Sequence, residues 1–320
     1  MSSLALSFDD VLVVPAYSTL SSRNGVSLES YSGWELLKTP IIASPMDSVT
    51  GIAMMRAMKQ VGGSAVHHRY CSMEELTVAS RIGPVAVSPS MGIEAVKNLP
   101  GKVMCLDLAH GDSQVAVKMA VELRKAGKIV ISGNLVTPEA AQRYWTMGIT
   151  VFRVGVGGGA SCSTRVVAGI GYPQLSAIIR IRKEFPNATI ISDGGIRNSG
   201  DVVKALAGGA DVVMLGRLLG GTKEALGKRR FNPFKMRMEK VFRGMASNQA
   251  LREAGKEINE EGISTWIPIE GPVSTVVDRL NKGIRAGLAY VGARDIRELR
   301  QKTKLIRITH AGYIEGLPRG

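Results

Sequence analysis

Eight short β-branched runs, each followed by an amphipathic stretch, predict an α/β fold: one (β/α)8 TIM barrel with an N-terminal extension and a C-terminal flap segment. The length agrees, since 320 residues exceed the usual ~100–150-residue domain but match one barrel with insertions. So does the placing of Gly, Asp and Cys motifs, which recur at the carboxyl ends of the runs, where a parallel barrel builds its site. An open doubly wound sheet is the structural alternative, because strand number alone does not show closure.

Taken in order, Ser2–Leu36 precedes the first run and is expected to cover the amino end of the barrel or to add a small hairpin. The strands are expected at Pro40–Ala43, Gly63–His67, Pro84–Val87, Lys102–Leu108, Lys128–Ser132, Thr150–Val154, Thr189–Ser192 and Asp211–Leu215. The helices are expected at Gly51–Val61, Met73–Arg81, Ile93–Asn98, Ser113–Ala126, Pro138–Met147, Gln174–Phe185, Ser199–Ala207 and Thr222–Leu226. Thr137 before Pro138 is a helix start, and Gly127, Gly148 and Gly209 stand where helices should stop. The 227–281 segment has weak periodicity and is long for a connection, which points to an active-site flap or insertion. Gly283–Ile306 reads as helix followed by a final strand. With no composition shift or linker, residues 1–320 read as a single domain.

Hydrophobic residues at 45% and charged residues at 21% exclude wholesale disorder. No apolar run approaches the ~18 residues that span a bilayer, and Met1–Phe8 has neither a basic start nor a cleavable apolar stretch. A soluble cytoplasmic protein with no membrane partner is the expectation. Three widely spaced cysteines, Cys71, Cys105 and Cys162, argue against a disulfide framework or a cysteine-based zinc site. The net charge of +14 is uneven: from Lys223 onward 20 basic residues face 11 acidic ones. Lys223–Arg243 is the densest stretch, but it fits no nucleic-acid module, so nucleic acid is not the expected partner.

The chemistry is expected at the strand ends. In Val154–Arg165 the glycines from Gly155 to Gly159 can present amides to an anion and place Cys162 on a loop after strand six. Ser161, Ser163, Thr164 and Arg165 surround that cysteine with polar groups and a cation, a setting that favours thiolate and makes Cys162 the candidate nucleophile. Cys71 and Cys105 read as structural. After strands seven and eight, Ser192–Ile196 and Gly216–Gly221 occupy the usual barrel phosphate site. Asp193 suits ribose hydroxyls, and Arg217 adds a positive charge.

Ordered matches along almost the whole chain resemble the IMP dehydrogenase/GMP reductase family. They are Leu6–Leu12, Ser44-Pro-Met-Asp47, Asp107-Leu-Ala-His-Gly111, Gly133-Asn134, the Gly155–Arg165 loop, Gly171-Tyr-Pro-Gln174, Ser192–Ile196 and Arg243-Gly-Met245. The resemblance implies a homotetrameric barrel acting on purine 5′-monophosphates with a nicotinamide cofactor, through a covalent bond from Cys162 to the purine C2. Dehydrogenases of the family activate water with an Arg-Tyr pair on a longer flap, and no such pair lies between Met245 and Glu261-Gly262. Gly171-Tyr-Pro-Gln174 and His67-His-Arg-Tyr70 resemble the reductase forms, whereas Ser44–Asp47 and Asp107–Gly111 look more like the dehydrogenase. The length leaves no room for the regulatory CBS insert of many dehydrogenases. The flap decides for GMP reductase; an NAD-dependent IMP dehydrogenase and a weakly catalytic nucleotide-binding protein stay open.

The resemblance also implies roles. Cys162 would attack, with Thr164 and Glu261 handling protons as ammonia leaves. Met46, Ser161, Asp193, Gly194, Gly195, Gly216, Arg217, Arg243, Gly244 and Met245 would bind substrate. Asp107, Ala109, Asn134 and Gly155 would lie by the cofactor, expected to be NADPH from the excess basicity. A monovalent cation such as K+ is expected at the backbone of Gly157, Gly159 and Cys162. Three departures bear on the phosphate: Ala160 replaces a serine, with Ser161 beside it, Phe242 replaces a tyrosine, and Arg217 replaces a small residue.

Overall fold

The computed structural model describes residues 4–255 and 262–318. Eight parallel strands form the central sheet: β1 (Ile41–Ala43), β2 (Ser64–Ala65), β3 (Val85–Val87), β4 (Val103–Leu106), β5 (Ile129–Leu135), β6 (Val151–Val154), β7 (Thr189–Asp193) and β8 (Val212–Leu215). Their order is β2-β1-β8-β7-β6-β5-β4-β3. A parallel bridge from His67 to Val85 links the two ends, so the sheet closes into a (β/α)8 barrel rather than an open layer.

Seven expected helices are present: α1 (Ile52–Gln60), α2 (Met73–Ile82), α3 (Ile93–Lys97), α4 (Gln114–Lys125), α5 (Pro138–Trp145), α6 (Gln174–Glu184) and α7 (Ser199–Ala207). The eighth is not where the sequence pattern put it. Thr222–Leu226 is a series of turns, whose Thr222 and Lys223 carbonyls accept the buried Lys240 Nζ at 2.6 and 3.3 Å. After β8 comes only the short helix Arg217–Gly220. The outer helix of the eighth unit is α8 (Val273–Tyr290), which buries Val273, Val276, Val277, Leu280, Ile284 and Leu288 on one stripe. The weak helical periodicity before it has a cause: β9 (Arg229–Asn232), β10 (Arg237–Arg243) and β11 (Ser264–Pro268) form an antiparallel sheet there.

Alternation along the strands decides what faces inward. Ile42, Val66, Ala86, Cys105, Ile131, Val151, Ile191, Val212 and Met214 fill the lumen as one cluster, while their chain neighbours pack against the helices. A hairpin pairing Ser30–Tyr31 with Leu36–Leu37 stands at the amino end, and its Trp34 and Leu37 pack on the lumen cluster. The N-terminal extension thus adds a hairpin. Val11–Val13 pairs antiparallel with Leu305–Arg307 near the other end of the chain.

Candidate active site

The same parity that fills the lumen with apolar side chains continues past it. Two residues beyond Cys105, Val151 and Ile191 come Asp107, Arg153 and Asp193, which therefore gather at the carboxyl mouth of the barrel. Arg153 is only 6% exposed and bonds both acids: Nε to Asp193 Oδ2 at 2.8 Å, Nη1 to Asp107 Oδ1 at 3.0 Å. Arg69 Nε reaches Asp107 Oδ2 at 2.9 Å, and Asn134 Nδ2 reaches Asp193 Oδ2 at 3.0 Å. Burial pushes the Asp107 carboxyl up, but Arg69 and Arg153 more than reverse this and hold it below the usual carboxylate range. Two guanidinium groups against two carboxylates leave this lattice formally neutral.

Above it the Gly155–Thr164 loop bends back across the mouth. Gly155 has φ +147, and a side chain there would place Cβ 2.0 Å from the Asp193 carbonyl oxygen. Gly194 has φ +95, with space for a Cβ closed by Gly158 at 3.1 Å. Arg165, expected as a cation beside the thiol, instead bonds the carbonyls of Val156 and Tyr172 and so anchors the loop to the Gly171–Gln174 run. Gln174 completes the anchor, its Nε2 donating to Val154 O at 2.7 Å.

The loop presents an exposed Cys162, whose Sγ is 3.1 Å from Thr164 Oγ1. Burial pushes the other two thiols, Cys71 and Cys105, up to about 12, which leaves them inert at neutral pH. The β10–β11 sheet comes against this loop: Ile263 N donates to Ser161 O at 3.0 Å, and Gly262 bridges to Cys162. Glu261, the expected proton donor, lies outside the described residues.

A cavity of 680 Å³ opens at the mouth, within the size range of small-molecule sites. Its wall includes Cys162 and Thr164, together with Met46, Ser161, Asp193, Gly194, Gly195, Gly216, Arg217, Gly244 and Met245. The residues expected beside a cofactor, Asp107, Ala109, Asn134 and Gly155, line it too, as do Gly157 and Gly159. Arg243 is not part of this wall; it pairs with Asp47 and Glu253 behind it. Ser161 Oγ is buried with no hydrogen-bond partner among the described residues. Phe242 is buried and also lines the cavity.

Sequence reasoning missed Arg153 because it lies inside a strand rather than after it. Period-two alternation from Val151 was the signal that could have found it. Arg69 and Tyr70 stood in a noted run without a role; the structure places both on the cavity wall, Tyr70 donating to Met245 O at 3.2 Å.

A model of the IMP dehydrogenase / GMP reductase domain matches residues 5–91 and 76–319. GMP reductase of Buchnera aphidicola is 35% identical, the match covering 96% of this chain and 95% of its own length. GMP reductase of Yersinia pestis is 33% identical, covering 95% of each chain. Among solved structures, a cysteine-to-alanine variant of GMP reductase from Trypanosoma brucei, in complex with guanosine 5′-monophosphate, superposes with a TM-score of 0.90 at 25% identity. That match covers 100% of this chain and 98% of the other.

Proposed function

The chain belongs to the IMP dehydrogenase/GMP reductase family, and we propose that within it this protein is a GMP reductase that deaminates GMP reductively to IMP and ammonia with NADPH. The observation that carries the reading is the exposed Cys162 thiol held 3.1 Å from the Thr164 hydroxyl at the mouth of a cavity large enough for a nucleotide.

Cys162 as thiolate adds to C2 of the guanine, and the exocyclic amine leaves as ammonia after taking a proton. Thr164 is near enough to the sulfur to share that purine edge and to relay the proton. Glu261, outside the described residues, is assigned to the relay by family resemblance alone. A nicotinamide coenzyme held beside Ser90, Leu108, Ala109 and Asn134 would supply the hydride, and Cys162 would leave C2 as thiolate. The route splits one difficult displacement into two easier ones.

Asp193 uses one oxygen on Arg153 and Asn134, and its other oxygen can accept ribose hydroxyls. The amides of Gly194, Gly195 and Gly216, with the Ser161 hydroxyl and Arg217, form the phosphate end. Met46 and the Gly244–Met245 backbone face the base. On the cofactor side Asn134 gives its amide nitrogen to Gly155 O and Asp193, so its carbonyl oxygen is what it can offer a carboxamide. Ser90, Leu108 and Ala109 add an uncharged wall that fits a nicotinamide ring. Gly159 O already accepts the Cys162 amide at 3.0 Å and keeps one lone pair for a cation such as K+. NADPH over NADH rests on the net charge of +14, and a homotetramer on the family resemblance alone.

Absorbance of the reduced nicotinamide tests the reading in two paired reactions. Loss with GMP and NADPH, and no gain with IMP and NAD, is the expected result. Gain only in the second makes the protein an IMP dehydrogenase, to which Ser44–Asp47 and Asp107–Gly111 are similar. Cys162→Ala should abolish turnover while retaining GMP, as measured by calorimetry. A variant that still turns over removes the covalent step.

A further inference from the structure

Arg243 does not line the cavity, yet it holds three of the pieces that enclose it. Its Nη2 lies 2.6 Å from Asp47 Oδ2 and 2.6 Å from Glu253 Oε2, and its Nε lies 3.1 Å from the same Asp47 oxygen. Its backbone is tied as well: the amide donates to Ser48 Oγ at 3.2 Å, and the carbonyl accepts Ser48 Oγ at 3.3 Å. Next in the chain, Gly244 and Met245 form cavity wall, and the Asp47 amide donates to Met245 Sδ at 3.2 Å. Glu253 ends the helix Asn248–Glu253, whose Leu251 lines the same cavity.

We infer that Arg243 is a positioning residue, a clamp that fastens the Met46–Asp47 loop, the Gly244–Met245 turn and the Asn248–Glu253 helix into one cover over the cavity. That the covered part receives the purine base rests on the GMP reductase reading. The two halves of the clamp differ. Asp47 is 7% exposed at its side chain and is the fixed half, because removing it would strand the guanidinium it pairs with. Glu253 is 44% exposed and is the releasable half. Nη2 donates to both carboxylates and Nε adds a second bond to Asp47; a lysine has no Nε and ends one bond short of Nη2, so it can keep Asp47 only by giving up Glu253.

The test is hydrogen exchange at the Leu251 amide in the full chain, which donates to Ser247 O at 2.9 Å and is released when the Asn248–Glu253 helix loosens, read by mass spectrometry against the barrel strands. Glu253→Gln should exchange roughly fivefold faster than wild type, the scale of one lost half-exposed charged hydrogen bond, with Glu253→Asp between them. Arg243→Lys should behave like Glu253→Gln. In steady state Glu253→Gln should raise KM for GMP about fivefold and change kcat less than about twofold, a split that general destabilisation does not produce. Wild-type exchange rates in both Glu253→Gln and Arg243→Lys overturn the clamp. If wild type does not turn over GMP, the functional reading fails and the exchange rates alone decide the clamp.

Discussion

Arg153 is the residue on which the mouth of the barrel depends, because among the described residues it is the one group that bonds both Asp107 and Asp193. Arg153→Met should cost about 3 kcal/mol or more in urea unfolding, since it strips the shared cation from two carboxylates that are only 11% and 15% exposed. Arg153→Lys should recover only part of that loss, because a single ammonium cannot span two acids held by a fork. His68 gives a second test. Burial, reinforced by the neighbouring His67, pulls its imidazole down to about 3, and Tyr70 N donates to its Nδ1 at 3.1 Å. The unfolded chain therefore binds a proton that the folded chain refuses between pH 6.5 and about 3. Stability should fall as pH drops through that window, by roughly 1 kcal/mol per pH unit from this one group. His68→Gln should flatten that part of the urea-midpoint profile. Cys162, Asp193 and the glycine loops were legible because their chemistry stands out after a strand. Arg153 and His68 were not, because their environment comes from strands distant in the chain, which one sequence does not display.

At the scale of elements, local chemistry and tertiary packing divide the outcome. Thr137 accepts the Ala140 amide at 3.2 Å while Pro138 opens α5, so the start signal read from the sequence is the cap seen in the fold. Thr137→Ala should lower stability by about 1 kcal/mol, seen as a shift in the thermal midpoint. All eight barrel strands were legible for the same reason: short β-branched runs between amphipathic stretches admit few other arrangements. The eighth helix was misplaced because Thr222–Leu226 has helix-forming residues whose carbonyls are captured by Lys240, which enters from β10. Nothing local announces that capture. The β9–β11 sheet was likewise hidden, since Arg230 and Glu239 pair across its strands and its sequence reads as a run of charge rather than as alternation.

For the whole molecule, closure is the property that the sequence could suggest but not show. The bridge from His67 to Val85 settles it, and it also brings the 67–71 loop, with Arg69 and Tyr70, to the cavity wall. The strand pair between Val11–Val13 and Leu305–Arg307 ties segments nearly 300 residues apart. A chain cut before residue 304 should therefore release its N-terminal segment, seen as new proteolytic cleavage around Val11–Val13, while the barrel strands stay protected. The same pairing sets an order on biosynthesis. β1 cannot gain its β8 neighbour until residue 215 has left the ribosome, and Val11–Val13 stay unpaired until residue 307 emerges. Val11–Val13 must wait through the synthesis of nearly 300 further residues, with Val11 destined for burial and nothing yet to pair with it.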